Sequence, residues 1–250
     1  MNAPRPVLDV RGIDKHFGAL HVSRDIDLTL MPGARHALIG PNGAGKTTCV
    51  NLITGAVPVD RGQILLDGEP ITQLDLAARA RRGLSRTFQI NQLFRELTVL
   101  ENVVMPIIER LGRGHRFWQP VGRQSDAVDE ALELLAAFEL DDVALTPVRE
   151  LAYGRQRLVE IVIALGRRPR VLLLDEPAAG VASSETRLIL DAIDRLPADT
   201  AVLIIDHDMD IIFRVATRIS VLVAGAVLAE GTPDEIANDR RVREVYLGQE

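Results

Sequence analysis

A glycine-rich segment, Gly40–Thr47, lies between an apolar run, Arg35–Ile39, and a segment of helical character that begins at Lys46. Its sequence follows the pattern G-x-x-x-x-G-K-[ST], and the strand, loop and helix order is the context that makes this pattern meaningful. The glycines allow successive backbone N–H groups to converge on phosphate oxygens, and the start of the helix adds partial positive charge. The segment therefore predicts an α/β fold with a phosphate-binding loop.

The side chains of this loop predict a nucleotide site that also uses Mg²⁺. The Lys46 ammonium can neutralise the outer phosphates, and the Thr47 hydroxyl can ligate the metal ion. The predicted nucleotide-binding residues of the loop are Gly40, Pro41, Asn42, Gly43, Ala44, Gly45, Lys46, Thr47 and Thr48.

Two later segments, Val171–Leu174 and Ala201–Ile205, are apolar without alternation, as strands covered on both faces of a parallel sheet would be. Asp175 and Glu176 follow the first of them, and His207 follows the second. Ligands of open α/β sheets bind at the carboxyl ends of the strands. We therefore expect Asp175 to hold Mg²⁺ through water and Glu176 to polarise an attacking water.

The rest of the chain shows two kinds of pattern. From Val7 to about Leu66, short alternating apolar runs separated by turn residues predict antiparallel β structure. Helical periodicity replaces this pattern in the middle third. We expect one domain over residues 1–250, with a nucleotide-binding core and β subdomain in 1–89 and 166–250 and an inserted α-helical subdomain in 90–165.

Composition narrows the class of protein. No stretch approaches the roughly 20 uninterrupted apolar residues of a membrane-spanning helix, so we expect a cytosolic protein or one held at a membrane by a partner. The net charge of −6 disfavours binding to nucleic acid, although Arg79, Arg81 and Arg82 could form a local basic patch. The single cysteine, Cys49, excludes an internal disulfide and any multi-cysteine metal site.

Taken in order, these motifs resemble those of the ABC ATPase family over essentially the whole chain. Gln89 is similar to the family's Q-loop glutamine, which contacts Mg²⁺ and links the site to the membrane subunit. Leu151–Gln156 resembles the signature motif, which closes over the ATP held by the other subunit of a head-to-tail dimer. His207 resembles the switch histidine that contacts the γ-phosphate, and Phe17 resembles the aromatic residue that stacks on adenine.

The resemblance implies a full set of site residues and the cofactors ATP and Mg²⁺. The catalytic residues implied are Lys46, Gln89, Glu176 and His207. The metal ligands implied are Thr47, Gln89 and Asp175. The residues implied to reach the partner's ATP are Ala152, Tyr153 and Gly154. The chain departs from the family at two positions: Ala152 replaces the signature serine, and Ala182 replaces a polar residue after the catalytic glutamate.

Within the family, Arg86–Gln89, Leu93–Val103 and Tyr246–Gly248 look most like the branched-chain amino-acid importers. The ATPases of lipopolysaccharide export are similar in the tail and in Ala80–Gly83, and they stay open as an alternative. The resemblance implies transmembrane permease subunits, a second ABC ATPase subunit of the same or a related chain, and an extracytoplasmic solute-binding protein. The resemblance also places the chain at the cytoplasmic face of the inner membrane. We expect Ile90–Val104 to form a groove for a permease helix.

Other functional classes fit the sequence less well. An ABC ATPase acting on nucleic acid usually carries two cassettes or a long coiled coil, whereas this chain has one cassette, no sustained heptads and an acidic balance. A small GTPase or kinase would share the phosphate loop, but the chain lacks an Asn-Lys-x-Asp guanine motif. A subunit that binds ATP without hydrolysing it is compatible with Ala152 and Ala182, yet both Glu176 and His207 are present.

Overall fold

A computed structural model describes residues 5–87, 93–113 and 125–247. These residues group into two compact units. The first unit lies within Met1–Arg86, Arg170–Glu176 and Pro197–Glu250, and the second lies within Thr87–Pro169 and Pro177–Leu196. Across the described ranges, no helix has both the length and the apolar character needed to cross a membrane.

All of the described strands belong to the first unit, and they form two sheets. The strands are β1 (Leu8–Phe17), β2 (Leu20–Leu30), β3 (Arg35–Ile39), β4 (Arg61–Leu66), β5 (Glu69–Pro70), β6 (Leu84–Arg86), β7 (Val171–Asp175), β8 (Ala201–Ile205), β9 (Arg218–Val223) and β10 (Ala226–Gly231). The smaller sheet is antiparallel in the order β2-β1-β4-β5. In β2, Ile26, Leu28 and Leu30 are buried and the residues between them are exposed, as in a sheet covered on one face.

The larger sheet has the order β10-β9-β3-β8-β7-β6 and is parallel from β9 to β6, while β10 pairs antiparallel with β9. Every residue of β7 and β8 is buried, which agrees with their uninterrupted apolar sequences. Since β3, β8 and β7 are parallel neighbours, their carboxyl ends meet at one edge of the sheet. The segments that follow these three strands therefore share that edge.

The helices divide between the two units. The first unit contains α1 (Lys46–Thr54), α2 (Leu76–Arg81), α7 (Met209–Val215), α8 (Pro233–Asn238) and α9 (Arg240–Leu247). The second unit contains α3 (Val99–Arg110), α4 (Ser125–Ala137), α5 (Tyr153–Gly166) and α6 (Ser183–Asp194). The helical middle third expected from the sequence corresponds to α3, α4 and α5.

The second unit is built around α5, most of whose residues are buried. Helix α3 starts at a capping box formed by Thr98 and Glu101, and it packs against both α4 and α5. Helix α6 also packs against α5. For this reason Pro177–Leu196 groups with the helical unit, whereas residues 166–250 were expected in the nucleotide-binding core.

The core of the first unit joins the two sheets through α1. Apolar side chains of β1, β2, α1, β7 and β8 form one buried cluster, which includes Leu8, Ile26, Leu52, Leu173 and Leu203. Cys49 lies in the same cluster, and burial raises the pKa of its thiol to about 12. The helix that follows the glycine-rich loop is therefore held between the two sheets by its apolar side chains.

Candidate active site

The glycine-rich loop leads directly into the start of α1. Gly45 is the N-cap residue of this helix and has φ 101°, a conformation that side chains rarely adopt, and a Cβ there would lie 2.9 Å from the Val22 carbonyl oxygen. No hydrogen bond from a described side chain caps this end of the helix. The first N–H groups of a helix have no intrahelical partners and carry partial positive charge. The start of α1 is therefore a suitable site for an anion.

The Lys46 side chain folds back over this loop. Its Nζ donates hydrogen bonds to the carbonyl oxygens of Gly40, at 2.6 Å, and Pro41, at 3.0 Å. Burial lowers the pKa of Lys46, and the nearby carboxylates of Glu176 and Asp175 oppose that shift. The two carboxylates therefore favour the charged form of Lys46, and a phosphate group could take the place of its carbonyl partners.

Asp175 ends β7 and is almost fully buried. Its Oδ2 accepts a hydrogen bond of 2.5 Å from Nη2 of Arg86, and Nη1 of Arg86 donates to Oδ1 of Asn51 at 2.7 Å. Hard cations such as Mg²⁺ prefer oxygen ligands and usually take one or two carboxylates together with phosphate oxygens. The Asp175 carboxylate and the exposed Thr47 hydroxyl meet that requirement.

Glu176 is held by the neighbouring strand. Its N–H donates to the Ile205 carbonyl oxygen at 2.7 Å, and its φ of 46° lies in the left-handed region, which is costly for a residue with a side chain. Its carboxylate is partly exposed, and Oε1 lies 3.4 Å from Nδ1 of His207. The structure thus brings together the predicted base and the predicted switch histidine, which follow two adjacent strands.

The turn that carries His207 is organised by its neighbours. Oδ1 of the buried Asp206 accepts hydrogen bonds from the N–H groups of His207, at 2.8 Å, and Asp208, at 3.0 Å. Burial raises the pKa of Asp206, although these hydrogen bonds oppose the shift. Asp208 in turn caps the start of α7. The backbone of the turn is therefore fixed while the His207 side chain stays 69% exposed.

Two further predicted residues, Phe17 and Gln89, have different outcomes. Phe17, the last residue of β1, is half exposed, and Nζ of Lys15 lies 5.5 Å from its ring centroid. One side of a ring that is open to solvent can accept a nucleobase. Gln89 lies outside the described residues, so its expected contact with Mg²⁺ stays a prediction.

The signature segment lies in the second unit, at the start of α5. Ala152 is its N-cap residue and supplies no side-chain hydrogen bond, and Tyr153 is 38% exposed. The N–H of the buried Gly154 donates to Oε2 of Glu185 at 3.3 Å. Ala182 likewise gives α6 no side-chain cap. Thus an acidic side chain of the same chain already satisfies the amide that is expected to face a phosphate.

Two residues of the site, Arg86 and Gly154, have hydrogen-bond partners that were not expected from the sequence. Arg86 was noted only as part of a motif, and its pairing with Asp175 and Asn51 was missed. The contact between Gly154 and Glu185 was missed as well. Neither pairing leaves a local pattern, because the partners are far apart in the chain. The position of Arg86 at the carboxyl end of a strand that neighbours β7 is the one signal that points to Asp175.

Residues 23–179 match the model of the family described as ABC transporter, and this range contains both the glycine-rich loop and the signature segment. The chain belongs to the ABC transporter family. Membership of this family confirms the predicted fold class. It also confirms the predicted activity, which is ATP hydrolysis coupled to transport. Residues 226–250 also match a model described as branched-chain amino acid ATP-binding cassette transporter.

Individual ABC transporter proteins resemble the whole chain. The high-affinity branched-chain amino acid transport ATP-binding protein LivG of Escherichia coli (strain K12) is 39% identical and aligns with 98% of this chain and 99% of its own length. The lipopolysaccharide export system ATP-binding protein LptB of the same strain is 36% identical, with 97% and 98% covered. The crystal structure of an ABC transporter ATP-binding cassette in its ADP conformation has a TM-score of 0.85 at 32% identity, covering 97% of this chain and 99% of the other.

Proposed function

We propose that this chain is the ATP-hydrolysing subunit of an ABC importer for branched-chain amino acids or a related small polar solute. The main support is the group formed by Lys46, Asp175, Glu176 and His207 at one edge of the parallel sheet. The match of residues 226–250 to the branched-chain transporter model favours the importer over lipopolysaccharide export. LivG is also somewhat more similar to this chain than LptB is.

In this proposal the start of α1 binds the phosphates of ATP. The N–H groups of the loop bind the phosphate oxygens, and Lys46 exchanges its bonds with the Gly40 and Pro41 carbonyl oxygens for bonds to phosphate. Charge-assisted bonds of this kind are stronger than bonds to neutral carbonyl groups. The exposed ring of Phe17 stacks on the adenine base.

Thr47, Asp175 and Gln89 would hold the magnesium ion of MgATP. When bound, Mg²⁺ neutralises charge on the β- and γ-phosphate groups. The protein's own contribution is to offer oxygen ligands from two elements that are fixed by the core, α1 and β7.

Glu176 acts as the general base. Its carboxylate accepts a proton from the water that attacks the γ-phosphorus, and the bond from phosphorus to the bridging oxygen breaks to give ADP and phosphate. His207, whose Nδ1 lies 3.4 Å from Glu176 Oε1, orients that carboxylate and contacts the γ-phosphate. Asp206 Oδ1 accepts a hydrogen bond from the His207 N–H, and the Ile205 carbonyl oxygen accepts one from the Glu176 N–H, so both residues are kept in place.

Two subunits work together in this proposal. Ala152–Gly154 of one subunit covers the ATP that is bound by the other, so ATP holds the pair closed and hydrolysis releases it. The second subunit is another copy of this chain or a related ABC ATPase. The hydroxyl of a signature serine is missing at Ala152, so the positive end of α5 binds the phosphate. The Gly154 N–H joins it by exchanging its bond with Glu185 Oε2 for a bond to phosphate.

The subunit lies at the cytoplasmic face of the membrane and docks on permease subunits, which receive the solute from an extracytoplasmic binding protein. The segment after Gln89 supplies the docking surface. Of its apolar residues, Leu93 and Val99 are buried within the second unit, so they are not available for docking. Phe94 is 60% exposed and is the residue that best fits a contact with a permease helix. Residues 90–92 of this expected groove lie outside the described residues.

The Glu176→Gln variant tests the assignment of the base. We expect the ATP turnover number to fall by about 10²–10⁴-fold, because the amide cannot accept the proton, while ATP still binds. ATPase assays and calorimetric ATP titrations of the same samples would measure both effects. Glu69→Gln, an exposed glutamate of the same unit, is the control and should leave turnover unchanged. Normal turnover of Glu176→Gln would show that another group is the base.

Purification of the tagged chain from mildly solubilised membranes tests the transport role. We expect two permease proteins to co-purify and to be identified by mass spectrometry. Phe94→Asp should lose them while keeping ATP binding and the unfolding temperature of the wild type, since it changes an exposed side chain. Recovery of nucleic acid or ribosomal proteins without a permease would contradict the proposal.

A further inference from the structure

Arg86 is a largely buried arginine in direct contact with a predicted metal ligand. It is the last residue of β6, and its side chain is only 12% exposed. Its Nη2 donates to Asp175 Oδ2 at 2.5 Å, and its Nη1 donates to Asn51 Oδ1 at 2.7 Å. The guanidinium group therefore connects a strand end to a helix within the first unit.

The two partners of Arg86 belong to the two elements that carry the predicted metal ligands. Asp175 is itself such a ligand. Asn51 lies on α1 one helical turn after Thr47, the other described ligand, so both side chains project from the same face of that helix. Arg86 thus contacts both elements at once and can set the separation between Thr47 and Asp175.

The burial of Asp175 and its pairing favour a role for Arg86 in holding this carboxylate. The Asp175 side chain is only 7% exposed, and a buried carboxylate is costly unless it is paired and hydrogen-bonded. The described hydrogen bonds of Lys46 go to the carbonyl oxygens of Gly40 and Pro41. Arg86 instead bonds the carboxylate through Oδ2, and a planar guanidinium with several fixed donors holds its partners in a defined orientation.

We propose that Arg86 is a positioning residue for the magnesium ion of MgATP. It holds Asp175 by one oxygen and α1 by Asn51, so that Oδ1 of Asp175 and the Thr47 hydroxyl are placed for the metal. Arg86 itself touches neither nucleotide nor metal. This inference rests on the proposed function. It assigns a role to a residue that holds a metal ligand by a hydrogen bond and does not contact the metal itself.

The test is the Mg²⁺ dependence of binding of a non-hydrolysable ATP analogue, measured by titration calorimetry in EDTA and at graded Mg²⁺ concentrations. The Mg²⁺ midpoint is the Mg²⁺ concentration that gives half of the metal-dependent gain in affinity. In Arg86→Met, where a metal ligand has lost its hydrogen-bond partner, this midpoint should rise by about 10–100-fold. Affinity in EDTA should change by less than about threefold, since no phosphate contact is removed.

Two milder variants keep the test valid if Arg86→Met does not fold. Arg86→Lys retains the charge but lacks the fork that reaches both partners, so its Mg²⁺ midpoint should lie between those of the wild type and Arg86→Met. Asn51→Leu removes only the contact with α1 and should also raise the midpoint. Arg110→Met, which breaks a partly buried pair with Glu130 in the second unit, is the matched control and should leave the midpoint unchanged.

The outcomes separate this inference from the proposed function. A melting temperature that falls in Arg86→Met and Arg86→Lys while the Mg²⁺ midpoint stays that of the wild type would overturn the inference and leave Arg86 a structural residue. A midpoint that falls would also overturn it, because Arg86 would then compete with the metal. A wild-type protein whose affinity for the analogue is independent of Mg²⁺ would overturn the proposed function itself.

Discussion

The two ends of α1 differ in whether side chains bind their free backbone groups. At the N-terminal end, Gly45 and the glycine-rich loop leave the first N–H groups without a capping side chain. At the C-terminal end, Nη1 of Arg79 donates to the carbonyl oxygens of Leu52, at 2.7 Å, and Ile53, at 2.6 Å. One end of the helix is open to an anion, and the other is closed by a cation of the same chain.

Arg79 is an unusual residue for this role because it is almost completely buried, with 1% of its surface exposed. Its remaining nitrogens donate to the Leu74 and Thr72 carbonyl oxygens. Burial lowers the pKa of Arg79 to about 10, so the guanidinium is still charged at neutral pH. The expectation that Arg79 joins Arg81 and Arg82 in a surface patch was therefore wrong, because α2 turns this side chain inward.

The difference shows how one helix serves stability at one end and binding at the other. Carbonyl groups at the end of a helix carry partial negative charge, and a buried cation stabilises them permanently. A side-chain cap at the start of α1 would fill the proposed phosphate site. The chain instead leaves that end without an acidic residue in the first turn, so that only a bound anion completes it.

The largest expected effect comes from removing the buried cation. Arg79→Met leaves the four carbonyl groups without their donor, and we expect the free energy of unfolding to fall by about 3–5 kcal/mol. Urea denaturation followed by circular dichroism would measure it. Arg79→Lys should recover part of the loss, and Arg81→Met, an exposed neighbour in α2, should have little effect. A loss in Arg79→Met no larger than in Arg81→Met would show that the C-terminal end of α1 does not need this cation.

The next largest effect is expected at the N-terminal end of α1. It should change the affinity for ATP rather than the free energy of unfolding. Lys46→Ala removes a charged donor to phosphate, which is worth about 1.5–3 kcal/mol, or roughly 10–150-fold in ATP affinity. Titration calorimetry with ATP would give the affinity, and urea denaturation without ATP should give a nearly unchanged free energy of unfolding. Arg61→Ala, an exposed cation of the same unit, controls for net charge. If Lys46→Ala destabilised the ATP-free protein as much as Arg79→Met, the contrast between the two ends would be false.

A smaller effect is expected at the residue that ends α1. Gly55 has φ 79°, and a Cβ there would lie 2.8 Å from Nε of Arg79 and 2.9 Å from the Leu74 carbonyl oxygen. Gly55→Ala should cost about 1–2 kcal/mol for the backbone alone, and more because Arg79 must shift. Gly68→Ala is a matched control, since its φ is similar at 83° and nothing lies near its Cβ position. Equal losses in the two variants, measured by denaturation, would mean that the position of Arg79 can adjust freely.

The smallest effect concerns the start of the helix that carries Arg79. Oδ1 of Asp75 accepts a hydrogen bond from the Ala78 N–H at 2.7 Å and so caps α2. Asp75→Ala should lower the free energy of unfolding by about 1 kcal/mol, the usual value of a cap. Gln73→Ala, an exposed neighbour outside the helix, is the control. Thermal denaturation of both variants would detect the difference, and identical transitions would show that α2 is held by Arg79 alone.

Much of the fold follows from short-range patterns. The bounds of β3 and β8 agree with those read from the sequence, and β7 extends only to Asp175 beyond its apolar run. These segments are buried on both faces, so their apolar character is continuous and easily recognised. The side chains of the second unit were harder to predict. Leu93 and Phe94 are adjacent and equally apolar, yet the first is buried and the second is exposed.

The sequence by itself determined the glycine-rich loop, the two carboxylates at the end of β7 and the histidine that follows β8, because each depends on a few neighbouring residues. Only the tertiary structure decided which charged groups are partners. Arg79 and Leu52 are separated by 27 positions, and Arg86 and Asp175 by 89. Contacts over such distances depend on how strands and helices pack, and no periodicity records them. Arg79 and Arg86 therefore look alike in the sequence, although one closes the end of a helix and the other holds a carboxylate of the proposed active site.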